Sequence, residues 1–162
     1  MSEKRVPVLI GEAKVAGPDN LLFTIGLGSC VAIVLYDAEV RIGGIAHAML
    51  PDPSNGRRKS PAGRFATTAV PALLELMREA GASGDRIRAR LAGGASMFEA
   101  LLDEKGRRLG MRNVEAARAA LAQAGICLDG EDVGGSHGRS VYFSTGDGIV
   151  TITSVAHPDV IL

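Results

Sequence analysis

Three residue types that together support nucleophilic chemistry fall close together in the sequence: Thr24, Cys30 and His47. Cys30 stands at the exit of Thr24-Ile25-Gly26-Leu27-Gly28-Ser29-Cys30. His47 lies in Gly43-Gly44-Ile45-Ala46-His47-Ala48-Met49-Leu50-Pro51. A thiolate is a strong nucleophile, but a free cysteine is largely protonated near neutral pH and needs an activating neighbour. Histidine suits that task because its ordinary pKa lies near working pH. A third polar group commonly fixes the imidazole tautomer, the role Thr24 would take. Gly26 and Gly28 let the backbone turn sharply, and N–H groups around Gly28, Ser29 and Cys30 would then meet a developing oxyanion. Spacing by itself leaves a second reading open, a tight turn with a buried thiol beside a core imidazole.

The other candidate groups read as structural. Cys127, in Gly125-Ile126-Cys127-Leu128, is expected in the core at the start of an apolar strand. His137 in a glycine loop and His157 before Pro158 are expected at the surface. A metal site from Cys30, His47, Cys127 and His137 has no spacing to recommend it, and neither cysteine lies in a C-x-x-C pair. Gly26-Leu27-Gly28 lacks the third glycine and following helix of a dinucleotide fingerprint, and no Walker lysine follows any glycine loop. No cofactor is expected.

These groups must be carried by a chain of 162 residues, long enough for a core and read as one domain over 1–162. Lysine plus arginine balances aspartate plus glutamate at 18 each, and aromatics are 4% with no tryptophan. That composition argues against a broad nucleic-acid footprint or a base-stacking platform. No apolar run reaches the length of a membrane span, and the N-terminus lacks a secretory apolar core, so a cytoplasmic protein without membrane insertion is expected. A disulfide between the distant cysteines is not expected in that compartment.

Strands are predicted at Val6–Ile10, at Leu21–Ile25 up to a break at Gly26 and Gly28, at Val31–Tyr36, and at Ile42–Leu50. Glu12–Ala16 extends or pairs the first. Val31–Tyr36 is almost wholly apolar and β-branched, as in a strand covered on both faces. If the strands holding Thr24, Cys30 and His47 are neighbours, Cys30 and His47 meet near one sheet edge. Ser54–Gly63 is a polar loop with Arg57, Arg58 and Lys59. Ser60-Pro61 reads as a cap and first turn of a helix over about 62–80, kinked or interrupted at Pro71 and stopped by Gly81. A strand at Ile87–Leu91, a short helix at Met97–Leu102 and a turn at Glu104–Gly106 follow. Asn113 is expected to cap a helix over Val114–Ala124, ended by Gly125. A strand begins at Ile126, and Val141–Ser144 with Ile149–Val155 forms a hairpin. The order predicts a layered α+β (α/β/β) domain with two main helices and a largely antiparallel or mixed sheet.

Five segments, taken together, resemble one family: Thr24–Cys30, Gly43–Pro51, Gly93-Gly94-Ala95-Ser96-Met97-Phe98, Gly110-Met111-Arg112-Asn113-Val114 and Glu131-Asp132-Val133-Gly134-Gly135. They look like the chemoreceptor glutamine deamidases, CheD. The resemblance implies a cysteine hydrolase that converts receptor glutamines to glutamate and acts on receptor methyl esters, with Cys30 as nucleophile, His47 as base and Thr24 as the third group. It also implies chemotaxis receptors as substrates and a CheC-type phosphatase as partner. An adaptor acting mainly on that phosphatase is the rival expectation. The chain departs from the family pattern at Ala48, commonly aromatic, and at Ser96, often asparagine.

Overall fold

The computed structural model describes residues 2–53, 61–97 and 108–162. Among these, ten strands form two five-stranded mixed sheets. The first sheet runs in the order β1 (Lys4–Pro7), β3 (Asn20–Leu27), β8 (Arg139–Ser144), β9 (Val150–Thr153) and β10 (Val160–Ile161). The second runs β2 (Ala13–Ala16), β5 (Ile42–Ala48), β4 (Val31–Asp37), β6 (Arg88–Gly93) and β7 (Cys127–Val133). Helices α1 (Ala66–Glu79) and α2 (Leu109–Gln123) cover the outer face of the second sheet. The layers are therefore helix, sheet, sheet, the predicted α+β arrangement. No helix among the described residues is long and apolar enough to cross a membrane.

Strand β4 is the centre of both cores, and its side-chain alternation explains why. Val31, Ile33 and Leu35 pack with the helices, while Ala32, Val34 and Tyr36 pack between the sheets. A strand covered on both faces has no polar side to show, which is why its sequence is a continuous apolar run. On β5, Ile42, Ala46 and Ala48 join the helix-side core and Ile45 the inter-sheet core. His47 is paired with Ala32 and shares that inter-sheet side.

The sheet pairing corrects one expectation. Leu21–Ile25 belongs to the first sheet, whereas Val31–Tyr36 and Ile42–Leu50 belong to the second. The chain from Gly28 to Cys30 is thus the crossover between layers, not a turn within one sheet. Nor does Gly26 end the strand. At φ 73° it supplies the bulge where the β3–β8 register shifts between Thr24 and Leu27, and β3 continues to Leu27.

Helix α1 starts at Ala66, after a 3-10 turn at Ala62–Arg64, rather than at Ala62. Its first N–H groups are satisfied by strand-end carbonyls, Ala66 N–H on Leu50 O (2.9 Å) and Thr67 N–H on Pro51 O (3.0 Å), so no side-chain cap is used. The helix continues through Pro71. It ends in a Schellman motif, with Gly81 at φ 110° and Ala82 N–H on Met77 O at 2.9 Å. The Gly125 stop of α2 repeats the pattern, with Ile126 N–H on Leu121 O at 3.0 Å. The predicted loop at 54–60 with its Ser60 cap, the helix at 98–102 and the turn at 104–106 lie outside the described residues. Met97 itself is in no regular element.

A buried carboxylate ties the far end of β4 to the loop before β6. Asp37 is fully buried and accepts from Ser83 N–H (2.9 Å), Glu39 N–H (3.1 Å) and both Nε and Nη2 of Arg86 (3.1 and 2.9 Å). Burial alone would raise its pKa, but the guanidinium and the two amides bring it below the ordinary carboxylate value. Asp37→Ala leaves those donors without their acceptor. It is expected to lower the stability by about 3 kcal/mol, read from the midpoint of urea unfolding. A change within about 0.5 kcal/mol, typical of neutral surface sites, would show that the cluster contributes little.

Candidate active site

Two of the three candidate groups meet across the inter-sheet core. Thr24 points inward from β3 of the first sheet and His47 from β5 of the second. Thr24 Oγ1 lies 2.7 Å from His47 Nδ1, and both residues are 1% exposed. The same hydroxyl lies 2.7 Å from Val8 O. A carbonyl oxygen only accepts, so the single hydroxyl proton goes to Val8. Thr24 must then accept from His47, which places the imidazole proton on Nδ1. Nε2 is left with its lone pair, buried and without a hydrogen-bond partner among the described residues. That is the tautomer a general base requires.

Cys30 is half-buried at the entrance to β4 and packs against the inter-sheet core, the side on which His47 lies. Removal from water pushes its thiol above the ordinary value, with its own backbone N–H acting in the opposite direction. Burial lowers the His47 pKa to about 4. The resting site therefore holds a neutral thiol and a neutral imidazole rather than a preformed ion pair.

The turn bearing Cys30 is held through three successive carbonyls. Gly28 O accepts from Ala95 N–H (2.9 Å), Cys30 O from Gly94 N–H (2.8 Å), and Ser29 O from the Asn113 side-chain amide (2.8 Å). In a trans peptide the N–H points opposite to the C=O, so these bonds also set the direction of the Ser29 and Cys30 N–H groups. The approach is close enough to demand glycine. A Cβ at Gly93, which has φ 108°, would fall on Cys30 O, and one at Gly110 would fall on the carbonyls of Gly94 and Ala95.

A cleft of about 250 Å³ opens beside the thiol, walled by Gly28, Ser29, Cys30, Ser96, Met97 and Arg108. Ser96 and Arg108 are shared with a second cleft of about 410 Å³ between α2 and the Gly134-Gly135 loop. The departure at Ser96 therefore sits in the wall of the site. Ala48 is fully buried in the helix-side core and does not reach the site.

All five resembling segments converge here. Ser96 N–H donates to Gly135 O and Gly134 N–H to Gly93 O, both at 2.9 Å. Arg139, 4% exposed, pairs with Asp132 (3.0 Å) and donates to Gly134 O (2.8 Å), fastening the first sheet to the glycine loops of the second.

Sequence reasoning misassigned Asn113. It is not a cap, since α2 begins four residues earlier at Leu109, and its amide reaches Ser29 O and Met49 O instead. Its only signal was an amide at a helical spacing otherwise held by apolar and small residues. Val8 was also missed, because a backbone acceptor has no sequence signature. Cys127 is exposed rather than in the core, since β7 is the edge strand of its sheet and its residues alternate toward solvent. The rings of His137 and His157 lie tilted against each other, with centroids 3.9 Å apart. Among the described residues no three His, Cys, Asp or Glu side chains gather as a metal site.

A family model described as CheD chemotactic sensory transduction matches residues 49–154. The chain is 44% identical over 158 residues to a probable chemoreceptor glutamine deamidase CheD 2 of Geobacter metallireducens, with 96% of each chain covered. It is 44% identical over 158 residues, again with 96% of each covered, to a probable chemoreceptor glutamine deamidase CheD of Symbiobacterium thermophilum. It is 43% identical over 146 residues to the chemoreceptor glutamine deamidase CheD of Thermotoga maritima, covering 90% of this chain and 89% of that one. Matched by the family's model over more than half its length and aligned nearly end to end with these relatives, the chain belongs to the CheD family.

Proposed function

We propose that the protein is a cytoplasmic protein-glutamine deamidase acting on chemotaxis receptors, with Cys30 as nucleophile, His47 as acid and base, and Thr24 as the group that holds His47. The observation that carries this reading is the Val8–Thr24–His47 relay, which leaves Nε2 as the basic nitrogen on the side where Cys30 packs. The names of the relatives supply the substrate class.

The thiol and imidazole start neutral, so His47 Nε2 takes the Cys30 proton as sulfur attacks the carboxamide carbon of a receptor glutamine. The oxyanion forms near the Ser29 and Cys30 N–H groups, with Gly28 giving them room. The imidazolium returns the proton to the leaving nitrogen, the C–N bond breaks, and ammonia departs from a thioester. His47 then removes a proton from water, hydroxide adds to the thioester, and glutamate and the free thiol are released. The same steps cleave a receptor methyl ester, with methanol leaving. The reaction needs no metal or cofactor.

A CheC-type phosphatase would dock over the same cleft, whose surroundings carry Met97 and Met111, each about half exposed. Incubation of the protein with a purified receptor tests the reading: ammonia is released, and mass spectrometry finds target glutamines converted to glutamate. A receptor left unaltered would overturn it.

Thr24→Val keeps the shape but removes the hydroxyl, leaving Val8 O and His47 Nδ1 without a partner. Its kcat is expected to fall by about tenfold or more with KM nearly unchanged, and Thr24→Ser to restore most of it. Equal losses in both variants would mean that Thr24 acts through packing rather than through its hydroxyl.

A further inference from the structure

The ladder between β4 and β5 ends with Val31 opposite Ala48. The next rung would join Cys30 and Met49, and the structure replaces it. Met49 N–H turns away to Arg64 O (2.9 Å), while the amide nitrogen of Asn113 takes Met49 O (3.1 Å) and Ser29 O (2.8 Å) together. One side chain from α2 thus spans the gap where the strand leading out of Cys30 and the strand leading out of His47 part company.

We propose that Asn113 is a positioning residue for the Cys30–His47 pair, setting the spacing of the two strand ends and the orientation of the peptide that carries the nucleophile.

The cost of placing asparagine there supports this. Asn113 is fully buried in the fifth position of α2, on a face otherwise made by Gly110, Val114, Ala117 and Leu121. Asparagine is a poor helix former in an interior position, and a buried amide must be satisfied. Its Oδ1 has no partner among the described residues. Neither the helix nor the core would favour it over alanine, so the two carbonyl contacts account for its presence. The first of them has a chemical consequence. Ser29 O belongs to the same peptide as Cys30 N–H, the backbone donor of the residue that carries the sulfur. A hydrogen bond on the carbonyl polarises the peptide and strengthens its N–H as a donor, so Asn113 acts on the thiolate through one peptide unit.

The inference rests on the reading of Cys30 as the nucleophile, and its test reads the thiol directly, without receptor. In a Cys127→Ser background, the rate of Cys30 alkylation by iodoacetamide is followed against pH by intact mass. Asn113→Ala and the isosteric Asn113→Asp are each compared with Leu121→Ala, a core truncation at the far end of the same helix. Both Asn113 variants are expected to alkylate about threefold or more slowly at neutral pH, with the rate profile displaced to higher pH. Leu121→Ala, matched for loss of Tm, is expected to keep the parent profile. Should Asn113→Ala fail to fold, Asn113→Asp and Asn113→Ser carry the comparison. Folded variants with the parent's rate and profile, or a Leu121→Ala profile displaced to the same extent, would overturn the proposal. A deamidase assay that failed with the parent protein while these profiles shifted would instead count against the activity alone.

Discussion

Cys30→Ala is expected to abolish release of ammonia from a purified chemoreceptor, by about four orders of magnitude or more, and Cys127→Ser to leave it unchanged. The two thiols are separated by their surroundings. Cys30 borders a cleft, sits on the side of His47 and has its peptide held by Gly94 and Asn113. Cys127 lies exposed on an edge strand. Alanine at 30 removes the only protein atom that forms a bond to the substrate carbon in the proposed reaction, and neither His47 nor the backbone amides can replace it. The fold should survive, because a half-buried thiol contributes little packing. Far-UV circular dichroism and Tm near the parent's are therefore the required controls. The same variant separates the deamidase from an adaptor. If CheC-type phosphatase stimulation persists when deamidation is lost, the two roles share a surface but not the thiol. Ammonia release undiminished by Cys30→Ala would overturn the catalytic assignment.

The second large effect falls on His47. His47→Gln is expected to lower kcat by about a thousandfold, the scale of a lost general acid and base. It also has a signature in stability. In the folded protein His47 takes up a proton only near pH 4, against an ordinary value of 6.5. Between those limits the unfolded chain binds more protons than the folded one, so stability rises with pH across the window and is flat above it. Acidification from about pH 6.5 to 4 should remove about 3 kcal/mol of stability through this residue. Glutamine does not titrate, so the difference between parent and variant isolates His47 from the carboxylates, which are common to both. Urea unfolding at a series of pH values checks it. Parallel stability curves for the two proteins would mean that the imidazole is not held neutral by burial.

How much of this was legible beforehand depends on how local each feature is. Val31–Tyr36 announced a strand covered on both faces because burial pattern follows from side-chain alternation. Gly81 and Gly125 announced helix ends because a positive φ is a local demand that few residues meet. Pro71 misled in the other direction. It suggested a kink or an interruption; the helix is not interrupted, and the flanking core residues Val70, Leu73 and Leu74 keep α1 continuous through it. Asn113 misled because a cap and a buried clamp use the same amide, and only the partner distinguishes them.

The amino-acid order alone determined the reactive inventory: one cysteine after a glycine turn, one histidine after a glycine pair, one threonine before both. It also determined the strand and helix types, through periodicity and turn chemistry. The tertiary structure decided where those residues meet. Thr24 and His47 come from different sheets, and their hydrogen bond crosses the core between layers, a pairing with no local signal because strand order is set by contacts distant in sequence. The tautomer of His47 depends on the carbonyl of Val8, and the setting of Cys30 depends on glycines 93 and 94 and on Asn113. A reactive side chain can be read from its letter. Its protonation, burial and aim come from neighbours that only folding brings within hydrogen-bonding distance.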